Sequence, residues 1–139
     1  MELAELRAKM GLPPPAVPTV EAIYATGHWL FAREEWANAA KIFRVLVHTA
    51  PRDERGWLAL GECHERIGQP LIALELYGAG SVVAAPSARC DLARARTLRA
   101  LDRDDEADEA FARAEQLAVE GDDEDLVALA RREKGRAAA

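Results

Sequence analysis

Aromatic residues make up only 6% of this chain, and cysteine occurs twice in 139 residues, as Cys63 and Cys90. Two cysteines supply neither a disulfide framework nor a four-ligand metal set, so both read as small buried hydrophobes. No run of about 18 uncharged apolar residues is present to span a bilayer. The opening MELAELRAKM carries acidic groups where a secretory signal has an apolar block. The expectation is a soluble, cytoplasmic protein with no membrane partner. An excess of positive charge is missing too: the formal net charge is −6, whereas phosphate contacts need a cationic surface, so nucleic acid is excluded as a partner. Catalytic constellations are likewise lacking. Of the three histidines, His28, His48 and His64, no two share a metal-binding helix face. Cys63 and His64 are neighbours that point about 100° apart on a helix, so they form no dyad. With no Gly-rich phosphate loop and no G-x-S-x-G elbow, the sequence implies no enzyme, no metal and no cofactor.

What is abundant is alanine, leucine and charge. Half of the residues are apolar, enough to bury one core, and the length suits one domain. Strict alternation is absent and strong helix formers dominate, which favours an all-α chain. Charge is segregated: Asp102 to Asp125 holds 12 acidic residues against Arg103 and Arg113, a net of −10 that leaves +4 for the remainder of the −6 total. This reads as a solvated acidic face on the last helices.

Ala39, Ala73 and Ala107 recur at intervals of 34 residues, and so do the aromatics Phe43, Tyr77 and Phe111. Numbered from one, each 34-residue unit places a bulky residue at position four, a small residue at eight, alanine at twenty and an aromatic at twenty-four. The middle unit supplies Trp57, Leu60, Gly61, His64, Ala73, Tyr77 and Gly80, with Gly68 in its turn and Pro70 at the start of its second helix. The first supplies Ile23, Gly27, Leu30, Ala39, Phe43 and Pro51. The third keeps Ala95, Leu98, Ala107, Phe111 and Ala114, but has Asp91 at the bulky site and Arg94 at the leucine site, which makes its first helix the weakest of the set. This period and pattern are those of the tetratricopeptide repeat, and they predict a right-handed αα solenoid in which small residues at eight and twenty let paired helices approach closely. Position eleven normally holds a large buried residue, so His64 reads as a packed core histidine. The units run 20–53, 54–87 and 88–121. Residues 1–19 form an amphipathic arm with Leu3, Leu6 and Met10 on one face, followed by a Pro-rich tether; such an arm can dock on its own solenoid, pair with a second copy or stay disordered. Residues 122–139 form a capping helix and tail, with acidic residues at its start and Arg131, Arg132 and Lys134 near its end, as the helix dipole favours.

In a solenoid of this kind the first helices line a concave surface, through positions two, five, nine and twelve. These are Glu21, Tyr24, His28 and Phe31 in the first unit, then Arg55, Leu58, Glu62 and Glu65 with Arg66 adjacent, then Arg89, Leu92, Arg96 and Arg99. The groove so read passes from an aromatic end to an arginine-rich end and suits an extended peptide. Apolar side chains would sit near Tyr24, Phe31, Leu58 and Leu92, and arginines would hold carbonyls or acidic groups.

The stretch from Tyr24 to Ala118, about two-thirds of the chain, resembles the small tetratricopeptide chaperones of bacterial type III secretion systems, the LcrH/SycD-like class. The likeness rests on WLALGECHERIGQPLIALELYGAG, in which Leu60, Gly61, Cys63, Gly68, Ala73, Tyr77 and Gly78 match the family's features, and on IYATGHWLFAREEWANAAKIFRVL before it. The chain departs from the family at His28, where an aromatic is common, and at Glu34, which stands for a turn glycine. The resemblance implies a non-enzymatic chaperone that binds an extended segment of a hydrophobic translocator in its groove, keeping it soluble and unassembled before export. It also implies a homodimer through the N-terminal arm, which gives Leu3, Leu6 and Met10 a self-association role. Two other readings of the residues stay open: an adaptor that captures an acidic or carboxylate-terminated peptide through its arginines, and an assembly subunit of a secretion or pilus machine.

Overall fold

The computed structural model describes residues 2–13, 19–84 and 86–136. Its elements are all helices: α1 (Leu3–Lys9), α2 (Val20–Ala32), α3 (Trp36–Thr49), α4 (Glu54–Ile67), α5 (Pro70–Val83), α6 (Ala88–Ala100), α7 (Asp104–Glu120) and α8 (Glu124–Lys134). They associate in sequence order. α2 packs on α3, α4 on α5 and α6 on α7; α3 meets α4, α5 meets α6, and α8 closes the series against α7. None of the described helices is long and apolar enough to cross a membrane.

The first two hairpins are closed by a ring laid on a glycine. A Cβ added to Gly27 would lie 2.5 Å from the ring of Phe43, and one added to Gly61 would overlap the ring of Tyr77. The alanines Ala39, Ala73 and Ala107 on the second helices are fully buried at 0% exposure. Between hairpins the approach is as close: at Gly80 an added Cβ would meet Trp57 at 2.6 Å and Cys90 Sγ at 2.9 Å.

The helix ends obey the same 34-residue spacing. Thr19, Asp53 and Ser87 cap α2, α4 and α6, accepting from the N–H groups of Ala22 (3.0 Å), Arg55 (3.1 Å) and Cys90 (3.2 Å) and so satisfying donors that the helix itself leaves free. The turns inside the hairpins repeat as well. Glu34, Gly68 and Asp102 take left-handed φ values of 61°, 89° and 60°. In each turn the next residue donates its N–H back over the helix end: Glu35 to the Leu30 carbonyl (3.0 Å), Gln69 to His64 (2.8 Å) and Arg103 to Leu98 (2.9 Å). This is the Schellman closure, which favours glycine at the left-handed site. Only the middle hairpin has it. A fourth such turn joins α7 to α8, with Asp122 at φ 54° and Asp123 N–H donating to the Ala118 carbonyl at 3.0 Å.

Three details fill in or correct the sequence reading. The first helix of the third unit, the weakest by pattern, forms over 13 residues. Ser87 caps it, Ala95 and Leu98 enter the core, and the buried Asp91 has the Arg113 guanidinium at ion-pair distance, 3.0 Å from Nε, though not aligned for a hydrogen bond. His64 is not a core residue. Cys63 takes the fully buried position beside it, while His64 is half-buried and its Nδ1 pairs with Gln69 Oε1 at 2.8 Å. The arm docks on its own chain: Leu6 is 3% exposed within the core built from α2, α3 and α4, and Leu3 packs against it. Arg7 Nε donates to the Pro13 carbonyl at 3.2 Å, which turns the chain after α1. Residues 14–18 of the Pro-rich tether and 137–139 of the tail lie outside the described residues.

Substituting Gly61 by alanine forces the Tyr77 ring off its seat and lowers stability by about 1–3 kcal/mol, measured by urea denaturation. Glu34→Gly removes a left-handed strain and raises stability by about 0.5–1 kcal/mol, with a smaller gain for Asp102→Gly because aspartate tolerates that conformation better.

Candidate functional site

Helical spacing places Leu58, Glu62 and Glu65 on one face of α4, and Arg89, Leu92, Ala93, Arg96, Thr97 and Ala100 on one face of α6. These faces confront one another across a trough of about 820 Å³, whose floor includes Tyr77 and Pro70 of α5 and whose far wall is Leu126 and Leu129 of α8. The volume lies within the range of built ligand sites, roughly 300–1,000 Å³, and leucines from three helices supply its apolar surface.

The trough gathers Leu58, Glu62, Arg89, Leu92 and Arg96 of the expected site, together with Glu65. The α2 residues and three arginines fall elsewhere. Tyr24 is half-buried, its ring centroid 6.1 Å from those of Phe43 and His28, with the Arg55 guanidinium 4.8 Å above it. His28 is exposed. Phe31 meets Trp36 edge-on at 4.7 Å, and Arg66 covers both rings at 5.7 and 5.3 Å. Arg55 is clamped between Glu21 (2.7 Å) and Asp53 (2.8 Å). Those hydrogen bonds hold its guanidinium above the usual range and both carboxyls below theirs.

Arg99 is a correction. It turns away from the trough to lie over the Phe111 ring at 4.6 Å, donating to Asp108 (2.8 Å) and to the Glu133 carbonyl (2.8 Å), with a side chain only 17% exposed. The position that faces a groove in the pattern here faces α7 and α8, because the acidic α7 and the end of α8 offer it better partners than solvent does.

The two trough arginines are also engaged within the chain. Arg89 reaches Glu54 at 3.2 Å and Asp123 at 3.6 Å, and Glu54 accepts in addition from the Ser87 hydroxyl at 2.8 Å. Arg96 forks onto Glu133 of α8 with both bonds at 2.6 Å. Those bonds raise its pKa, against the opposing effect of burial, with a weaker contribution from Glu65. On the α4 side the Thr97 hydroxyl donates to Glu65. Burial first, and then the charges of Glu65 and Glu62, push the Tyr77 hydroxyl up, so it stays protonated.

Sequence reasoning did not foresee the α8 wall. Leu126 and Leu129 stand one turn apart, a spacing that marks an apolar face but not what it faces. Nor did it place Tyr77, read as an interhelical aromatic, on the trough floor as well.

Solved structures share this arrangement. The type III secretion translocator chaperone SycD of Yersinia enterocolitica superposes with a TM-score of 0.75 at 23% identity, over 84% of this chain and 87% of SycD. PcrH from Pseudomonas aeruginosa is 30% identical over 81% of this chain and 86% of its own, with a TM-score of 0.72. The chain belongs to the PcrH/SycD family of translocator chaperones. A second PcrH structure, in complex with the chaperone binding region of PopD, matches 86% of this chain and 92% of that one at 29% identity and a TM-score of 0.73. No family model and no curated sequence matches the chain.

Within this member of the family both thiols are inert by burial, which pushes Cys63 up to about 12 and Cys90 up to about 11. Native protein at about pH 8 should therefore leave a thiol-reactive dye unconsumed, and both cysteines should titrate together only on unfolding.

Proposed function

We propose that this protein is a non-enzymatic cytoplasmic chaperone that holds an extended apolar segment of a secreted translocator in the trough between α4, α6 and α8. Covered in this way, the client is kept soluble and unassembled until export. The observation that carries the reading is the trough itself, an apolar channel walled by Leu58, Leu92, Leu126 and Leu129, in a family whose member PcrH is crystallised with the chaperone binding region of PopD. Shielding apolar client surface removes the patches that drive aggregation, and no covalent chemistry is required.

Tyr24, His28 and Phe31 extend the binding path along α2, next to the Arg55 bridge that ties α4 to Glu21 of α2. Capture of an acidic peptide by arginine has less support, because Arg89, Arg96 and Arg99 are all paired within the chain. A homodimer built on Leu3, Leu6 and Met10 would exchange the arm between copies, since Leu6 is already buried against its own core.

Leu58→Ala combined with Leu129→Ala removes two half-exposed walls and leaves the deeper core intact. Co-expressed with the cognate translocator, the double variant should lose most of the client from the soluble fraction, and its affinity for the client segment should fall at least about tenfold. Undiminished binding by a normally folded double variant would remove the trough from the function.

A further inference from the structure

The trough has an unequal share of charge. Glu62 and Glu65 face Arg89 and Arg96 across it, but both arginines are taken up by carboxylates outside the lining: Glu54 and Asp123 for Arg89, Glu133 for Arg96. The glutamates are not matched in return. Glu62 reaches only Arg66, at 3.6 Å, beyond hydrogen-bond length. Glu65 has only neutral hydroxyls beside its carboxylate, that of Thr97 and that of the buried Tyr77, whose proton it helps to hold. Among the described residues no basic group stands within ion-pairing distance of it. Arg96 is near enough to feel its charge, yet commits its fork to Glu133. Counted with the groups that grip the lining, Glu54, Glu62, Glu65, Asp123 and Glu133 outnumber Arg66, Arg89 and Arg96.

A half-buried carboxylate between apolar walls attracts a cation more strongly than one on open surface, because solvent and salt screen it less. An acidic residue entering the same space meets repulsion from Glu65 and no free guanidinium. This runs against the alternative reading of the sequence in which the arginines capture an acidic peptide.

Resting on the trough as the client site, we propose that the segment seated there carries a lysine or arginine beside its apolar anchors, and that Glu65 receives that cation. Glu65 is thus the residue that selects among apolar segments by charge, while the leucines supply the affinity common to all of them.

The test uses the full chain and synthetic leucine-bearing peptides in which lysine, alanine or glutamate is walked through the positions flanking the leucines, with binding read by fluorescence anisotropy. At its best position the lysine peptide should bind roughly five- to tenfold more tightly than the alanine peptide, and the glutamate peptide more weakly than either. The lysine advantage should shrink as salt is raised. Glu65→Gln keeps an acceptor for Thr97 and should abolish the lysine advantage, so that lysine and alanine peptides bind alike. Glu109→Gln, at an exposed carboxylate of α7, alters net charge equally and should leave the advantage in place. Equal binding of lysine and alanine peptides at every position, or a lysine advantage that survives Glu65→Gln, overturns the charge assignment and leaves the trough standing. Failure of every peptide to bind the folded protein overturns the trough and the assignment together.

Discussion

The structure depends on aromatic rings seated on residues that have almost no side chain. Phe43 lies on Gly27 and Tyr77 on Gly61 so closely that a single added methyl would collide, and this fixes how near the paired helices approach. With the hairpin spacing set, the neighbouring hairpins nest through Gly80, Trp57 and Cys90, and α4 and α6 come to face each other across the trough. Tyr77 connects the two levels. Its ring closes the α4–α5 hairpin, and the same residue forms part of the trough floor, so the trough and the hairpin closure share one side chain. A small change at Gly61 is therefore transmitted to the trough through a rigid aromatic contact, since close-packed interiors do not absorb such a shift locally.

The 34-residue period reaches deeper than the core. Thr19, Asp53 and Ser87 repeat as helix caps, and Glu34, Gly68 and Asp102 repeat as left-handed turn residues. Each unit thus specifies where its helices begin, where they stop and how close they lie. The units are unequal in this respect, since a glutamate and an aspartate occupy two of the turns where glycine is least strained. Their backbone hydrogen bonds form regardless, at distances like those around Gly68. Ring-on-glycine contacts and buried alanines hold the hairpins strongly enough to impose the turn geometry on residues that disfavour it.

The fold is legible in the sequence because period, small residues and aromatics all mark the same interval, and each of these is a property of single positions. Leu58, Leu92, Arg89 and Arg96 are legible for the same reason: helical spacing alone assigns them a common face. What escapes a sequence reading is which residue opposes which. Arg96 and Arg99 sit one turn apart with the same chemistry, yet one lines the trough and the other lies over Phe111. The difference is made by Asp108 and by Glu133, 34 or more residues away from either arginine in the latter case. His64 and Cys63 show the same limit at the scale of neighbours, since the pattern marks a buried site and the local rotation of α4 decides which of the two fills it.

That dependence on long-range partners gives α8 a larger part than that of a cap. Through Glu133 it holds Arg96 by the side chain and Arg99 by the backbone carbonyl, while Leu126 and Leu129 complete the apolar wall. One helix therefore supplies hydrophobic surface to the trough and withdraws positive charge from it. Without α8, Arg96 would lose its carboxylate and present a free guanidinium to the trough, while Arg89 would keep Glu54 and Arg99 would keep Asp108. With α8 in place Arg96 is neutralised as well and apolar area dominates, leaving Glu65 as the trough charge without a basic partner among the described residues. The arginine-rich sequence of α6 and the chemistry of the trough it lines thus have opposite signs, and the reversal comes from a helix that the repeat pattern does not include.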